Sequence, residues 1–132
     1  MSHVAVVACQ IRDLDALSSA AEKLGGELRR NQTRFQMYGS ESQACVHAIG
    51  VKGARNGAYE IGLRRKSASD EAEGYELACD FFDGSLATKF GANLVGLRNE
   101  YQAVVAERTL QRRGYRVQRQ DEGQQIRLVA RA

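Results

Sequence analysis

The chain reads as an α+β domain: a mainly antiparallel sheet with two helices packed on one face. Three observations predict this. Apolar residues alternate with polar ones at period 2 in several short runs, two other stretches repeat apolar residues at 3-4-3 spacing, and glycine-bearing turns separate them. The element order is β-α-β-β-β-β-α-β-β, related to the split βαβ (ferredoxin-like) plan. The 132 residues contain no proline and no break in composition that would mark a linker, so the expectation is a single domain, residues 1–132.

Residues 3–11 are small or β-branched and apolar on both faces, the pattern of a central strand. Asp13 is a natural N-cap, and Leu14, Leu17, Ala21 and Leu24 then share one helical face. Gly25 and Gly26 stop that helix. Residues 27–38 read as one strand with a wet face, bent near Asn31, and residues 39–43 as a turn. Residues 44–51 form a largely apolar strand, and residues 53–57 a second turn.

Tyr59, Ile61 and Leu63 alternate with Glu60, Gly62 and Arg64, and Tyr75, Leu77, Cys79 and Phe81 alternate with Glu76, Ala78 and Asp80. Both runs read as half-buried strands, with the tyrosines on the core side and a polar loop at 66–74 between them. Four strands in succession predict an antiparallel meander. Residues 83–91 read as loop. Leu94, Leu97, Tyr101, Val104 and Val105 mark a long helix that Gly114 caps, with Arg108, Arg112 and Arg113 near the end where the helix dipole favours cations. Residues 115–120 and 125–131 close the chain as a hairpin.

No apolar run approaches the ~20 residues that span a bilayer, and no secretory leader pattern is present, so the expected location is the cytoplasm and no membrane contact is expected. Cys9, Cys45 and Cys79 are odd in number and far apart, with no CxxC, and read as reduced, buried thiols. The net charge is only +3, but 15 of the 19 basic residues are Arg.

The search for chemistry yields no catalytic, cofactor-binding or metal site. Glu76 and Asp80 fall on one strand face, near Glu60 and Arg64 if the two strands pair, a pattern that serves a carboxylate pair or merely a solvated sheet face. His47 sits in an apolar strand without a fixed partner, and His3 reads as a strand-entry residue. Residues 53–57 are too short for a phosphate-cradling loop and lack a following helix.

Basic residues cluster at Arg29/Arg30/Arg34, at Arg64/Arg65/Lys66 and at Arg112/Arg113/Arg116/Arg119. Glu60, Asp70, Glu71, Glu73, Asp121 and Glu122 are interleaved with them, and the aromatic run of a sheet-face RNA binder is missing. Arg29, Arg30, Arg34, Arg64, Arg65, Arg112, Arg113 and Arg116 are the candidate residues for binding a partner or nucleic acid.

Four segments in order resemble one family. They are Met1-Ser2-His3 with Gln10-Ile11-Arg12-Asp13-Leu14 leading into Ala16-Leu17, then Gly57-Ala58-Tyr59-Glu60-Ile61-Gly62-Leu63-Arg64, then Gly74-Tyr75-Glu76-Leu77, and finally Gln111-Arg112-Arg113-Gly114-Tyr115-Arg116-Val117 with Ile126-Arg127-Leu128-Val129. They are similar to the signatures of a domain-of-unknown-function family typified by a hypothetical reading frame of cyanobacterial and algal chloroplast genomes. That family has members in bacteria and bacteriophages. The resemblance spans nearly the whole chain, implies a small soluble α+β domain and supplies no catalytic residues.

Three departures stand out. The 65–74 loop is longer than usual, Glu100-Tyr101-Gln102-Ala103-Val104 keeps one tyrosine where the family has Arg-Tyr-Ala-Tyr-His, and the chain ends Arg131-Ala132 without an aromatic residue. The reduced aromatic content suits a divergent phage copy or a bacterial one, the location of a phage copy being the host cytoplasm.

The functional expectation is a small binding or adaptor protein acting by protein-protein contact without catalysis. The alternatives are a nucleic-acid-binding accessory protein using Arg-rich sheet edges and, less favoured, a carboxylate-dependent enzyme. An open sheet leaves edge strands that must be charged, covered or paired, so a homodimer is a further expectation to test.

Overall fold

The computed structural model describes residues 4–39, 41–65, 74–123 and 125–132. His3, residues 66–73 (expected as a polar loop, with Lys66, Asp70, Glu71 and Glu73) and the Met1-Ser2-His3 part of the amino-terminal signature lie outside the described residues.

The predicted class holds: a mainly antiparallel sheet carries helices on one face. Strand β1 (Val4–Ile11) leads into α1 (Leu14–Lys23) through Asp13, whose carboxylate accepts the Ala16 N–H at 3.0 Å. The preceding N–H groups of Arg12 and Asp13 both donate to the Tyr101 hydroxyl, at 3.0 and 3.1 Å. A helix start needs outside acceptors for its first amides, and here a tyrosine from the second long helix supplies one.

After Gly25, at φ 85°, the chain enters β2 (Gly26–Arg30). The strand expected over 27–38 is two strands. Asn31 takes φ 64°, which ends β2, and β3 (Arg34–Gln36) pairs instead with β4 (Ser42–Ala44). The strand expected over 44–51 divides for the same reason. Cys45 N–H bonds back to Thr33, whereas Val46 N–H bonds to Leu63, so the chain passes from the hairpin to the main sheet between them.

Strands β5 (His47–Val51), β6 (Ile61–Arg65) and β7 (Tyr75–Asp80) then form the meander. The five-stranded sheet has the order β1-β7-β6-β5-β2, with every neighbouring pair antiparallel. The two strands joined by α1 therefore run parallel at opposite edges, with three strands between them.

The segment read as a loop over 83–91 contains a short helix, α2 (Ser85–Phe90), which buries Leu86 and Phe90. A 3₁₀ turn (Ala92–Leu94) leads into α3 (Val95–Arg112). The closing hairpin, β8 (Arg116–Glu122) and β9 (Gln125–Arg131), packs on α3, where Arg119 is ion-paired with Glu100.

Val7, Ile11, Ile49, Ile61, Leu63 and Leu77 form the helix side of the core, together with Leu17, Leu97 and Tyr101. Tyr59 belongs to it, as its alternation implies. The opposite face is not simply wet. Ala48, Gly62 and Ala78 are register partners across three strands, and the β3–β4 hairpin lays Phe35 and Met37 on that row of small residues. Phe35 is fully buried, and a Cβ built on Gly62 would lie 2.2 Å from its ring. Glu60 fastens the hairpin down: its carboxylate accepts from Arg29 at 2.6 Å, from the Gln32 amide at 2.9 Å and from the Gln36 N–H at 3.0 Å.

Candidate partner-binding surface

The structure divides the predicted basic residues into groups. Arg29 is held by Glu27 and Glu60, at 2.9 and 2.6 Å, and Arg64 lies 3.4 Å from Glu76 on the same sheet face. Arg30 pairs with Asp15 at 2.5 Å. Arg34 donates twice to Ser42, at 2.8 Å each, within its own hairpin. Arg65 ends β6 on the helix side, and its charge and that of Arg30 both reach His47. Arg112, Arg113 and Arg116 are exposed where α3 gives way to β8, with Arg116 opposite Arg131.

His47 is a satisfied histidine. Its Nδ1 accepts the Asn31 N–H at 2.9 Å, and its ring meets Tyr75 edge to face at 5.4 Å. Burial first, then the charges of Arg30 and Arg65, push its pKa down. Of the three thiols expected to be buried, Cys79 is buried whereas Cys9 and Cys45 are half-buried, and Cys79 and Cys45 are held protonated. Burial, with Asp80 adding to it, pushes Cys79 up to about 12, and burial with Glu60 pushes Cys45 up to about 11 against the opposing charge of Arg34.

Glu76 and Asp80 share a face, as their spacing implies, but Ala78 intervenes and they stand about 13 Å apart along the strand. Glu76 faces Arg64. Asp80 is fully buried, so its face is not solvated there. Its two carboxylate oxygens accept the Tyr38 N–H at 3.2 Å and the Phe82 N–H at 2.9 Å.

That buried carboxylate positions a feature that sequence reasoning missed. Tyr38 and Phe82 meet edge to face with ring centroids 4.7 Å apart, and they are 46% and 60% exposed. Val4 is the register partner of Asp80, and Val6, two residues along on the same face, is 53% exposed. All of this lies beside β1, an edge strand of the main sheet. Its sequence VAVVACQI carries no charge, whereas the opposite edge, β2, carries Glu27, Arg29 and Arg30. Among the described residues no strand pairs with the outer side of β1. The Phe81-Phe82 doublet was the available signal: just past the end of β7, Phe81 packs against the core and Phe82 is left exposed.

No protein-family model, no curated protein and no solved structure matches the chain. Among the described residues, no helix is long and apolar enough to cross a membrane.

Proposed function

We propose that this protein is a binding module that captures an extended segment of a partner protein along the outer edge of β1. Exposed backbone N–H and C=O groups on an edge strand supply main-chain hydrogen bonds, and alternate side chains of the added strand find pockets on the sheet face. The observation that carries the reading is the exposed Tyr38–Phe82 pair, anchored by buried Asp80 beside an uncharged edge. Paired aromatic rings with little rotamer freedom suit a binding hot spot. A long, apolar, uncharged edge is one that proteins normally protect unless it is used. The patch of Val6, Tyr38 and Phe82 is small beside the roughly 800 Å² per partner of a stable interface, which favours a peptide strand over an extensive dimer face.

The test compares proximity-labelled partners of the native chain with those of Val6→Lys and of Phe82→Ala in the native cell. The reading expects a defined set of proteins lost from both variants and retained by Arg113→Ala. Retention by all three, or concentration-dependent dimerisation that Val6→Lys abolishes, would replace it. The resemblance to the plastid, cyanobacterial and phage family is part of the same proposal and is compatible with such a module in the cytoplasm.

A second reading, nucleic-acid binding, draws support from Arg116 and Arg131. They face each other across β8 and β9, beside Arg112 and Arg113. Like charges directly opposite are unfavourable until an anion lies between them. A salt-sensitive shift of mixed-sequence RNA, lost in Arg113→Ala/Arg116→Ala, would establish it.

A further inference from the structure

A cleft between the turn after β5 and the start of α2 has the makings of a second site. A cavity of about 480 Å³ lies between the turn at 52–58 and the start of α2. Its apolar wall includes Val51, Ala54, Ala58 and Tyr59, and Arg55 and Lys89 enter it from opposite elements. A smaller cavity of about 140 Å³ adjoins it across the same turn, sharing Tyr59 and Arg55 and reaching Arg29.

Three side chains set this cleft apart. Most arginines of the sheet face carboxylates, whereas Arg55 and Lys89 have no ion-pair partner among the described residues. Lys89 is nevertheless positioned, since a Cβ on Gly25 would sit 3.2 Å from its Nζ. Tyr59 is only 8% exposed, yet its hydroxyl has no hydrogen-bond partner among the described residues. The hydroxyl oxygen is not itself among the buried unpartnered atoms, and Tyr59 lines the cleft, so that oxygen is open to a ligand there.

The turn itself adds shape. Gly53 and Gly57 take φ 76° and 85°, conformations that let the chain fold back tightly and keep its wall open. One acidic residue, Asp83, lies on the rim, and its carboxylate is already engaged by Ser85 N–H and Oγ at 2.9 and 2.6 Å. The volume falls within the 300–1,000 Å³ range of small-molecule sites, which are mainly apolar with a few convergent polar groups.

We propose that this cleft binds a small organic anion, its carboxylate or phosphate head between Arg55 and Lys89 and its apolar body against Ala54, Ala58 and Tyr59. The Tyr59 hydroxyl donates to the ligand rather than to the fold. The proposal does not rest on the reading of the β1 edge, although Asp83 on the cleft lining directly follows Phe82.

The test follows amide shifts of the isotope-labelled full chain on titration with benzoate and with phenyl phosphate, using benzyl alcohol as the neutral isostere. The expected result is saturable shifts confined to residues 51–59 and 83–89, with both anions binding at least about tenfold more tightly than the alcohol. Whichever anion binds more tightly names the head group. Lys89→Ala and Arg55→Ala should each weaken binding about tenfold, the loss of one charge-assisted hydrogen bond. Tyr59→Phe should weaken it about threefold while leaving the urea midpoint unchanged, which a structural role would not do. Equal binding of benzyl alcohol, shifts centred on residues 112–116, or full affinity in Lys89→Ala/Arg55→Ala would each overturn the proposal.

Discussion

Gly62→Ala is the most informative perturbation of the fold, because its cost can be worked from the geometry. The added methyl would lie 2.2, 2.5 and 2.7 Å from Phe35 Cδ1, Cε1 and Cγ. Gly62 is not among the residues at positive φ, so alanine suits its backbone and gains about 0.4–1 kcal/mol from a less free unfolded chain. Against this stands a fully buried ring that must leave its seat. Overpacking costs about 1–3 kcal/mol where neighbours yield and more where they do not. Here the ring is sandwiched between a sheet and the hairpin that carries it, so a net loss of about 2–3 kcal/mol is expected. For a domain of this size that lowers Tm by about 10 °C.

Phe35→Ala alone should cost about 3–5 kcal/mol. In the double variant the methyl added at position 62 enters space that the ring has vacated. Its cost should therefore fall about 2 kcal/mol short of the sum, a coupling typical of residues in direct contact. Urea midpoints at constant m-value measure all three. A neutral Gly62→Ala, or additivity within about 0.5 kcal/mol, would refute the seating of the hairpin on the Ala48–Gly62–Ala78 row.

Tyr101→Phe removes the acceptor of two amides at the start of α1 and should cost about 1–2 kcal/mol by urea denaturation, with faster hydrogen exchange at Arg12 and Asp13. Asp80→Ala removes the acceptor of the Tyr38 and Phe82 amides. It should cost about 2 kcal/mol and abolish nuclear Overhauser contacts between the two rings. His47 has a depressed folded-state pKa, so just below about pH 6.5 the unfolded chain binds more protons than the folded one. Its contribution is complete above that pH and lost as pH falls through the lower folded value. Urea midpoints between about pH 7.5 and 5.5 should therefore fall more steeply in the native chain than in His47→Gln. Cys79, held near 12, and Cys45, near 11, should resist iodoacetamide at neutral pH until the chain unfolds, as mass spectrometry of native and urea-treated protein would report.

The elements defined by local chemistry were readable from the residues. The Asp13 cap, the Gly25 stop, the stripes of α1 and α3 and the alternation in β6 and β7 each follow from a few neighbouring positions. The hairpin was not readable in this way. Phe35 and Met37 alternate just as they would in a continuing strand, but the surface that receives them consists of Ala48, Gly62 and Ala78, three residues brought into line only by pairing. Helix α2 is six residues long, and its N-cap Gly84 makes no side-chain capping bond, leaving Leu86 and Phe90 as a faint i, i+4 signal. The burial of Asp80 was equally hidden, because its acceptor role depends on a turn forty-two residues earlier in the chain.

The acidic residues that a linear reading places on a wet face turn out to hold the covering layers to the sheet. Glu60 ties down the β3–β4 hairpin, Asp80 the two aromatic residues, and Glu76 faces Arg64. The Glu60 and Asp80 carboxylates are hydrogen-bonded by groups of the fold itself, which removes them and Arg29 from the set available to ligands. The same logic separates the arginines, because Arg29, Arg30, Arg64 and Arg119 face carboxylates whereas Arg55 lines an open cleft. Capacity for recognition is therefore sought where side chains stay exposed to solvent or line a cavity. The exposed rings of Tyr38 and Phe82 beside the β1 edge and the Tyr59 cleft are two such places, and they are chemically unlike. Two variants, Val6→Lys and Lys89→Ala, should consequently impair different binding events and leave each other's intact.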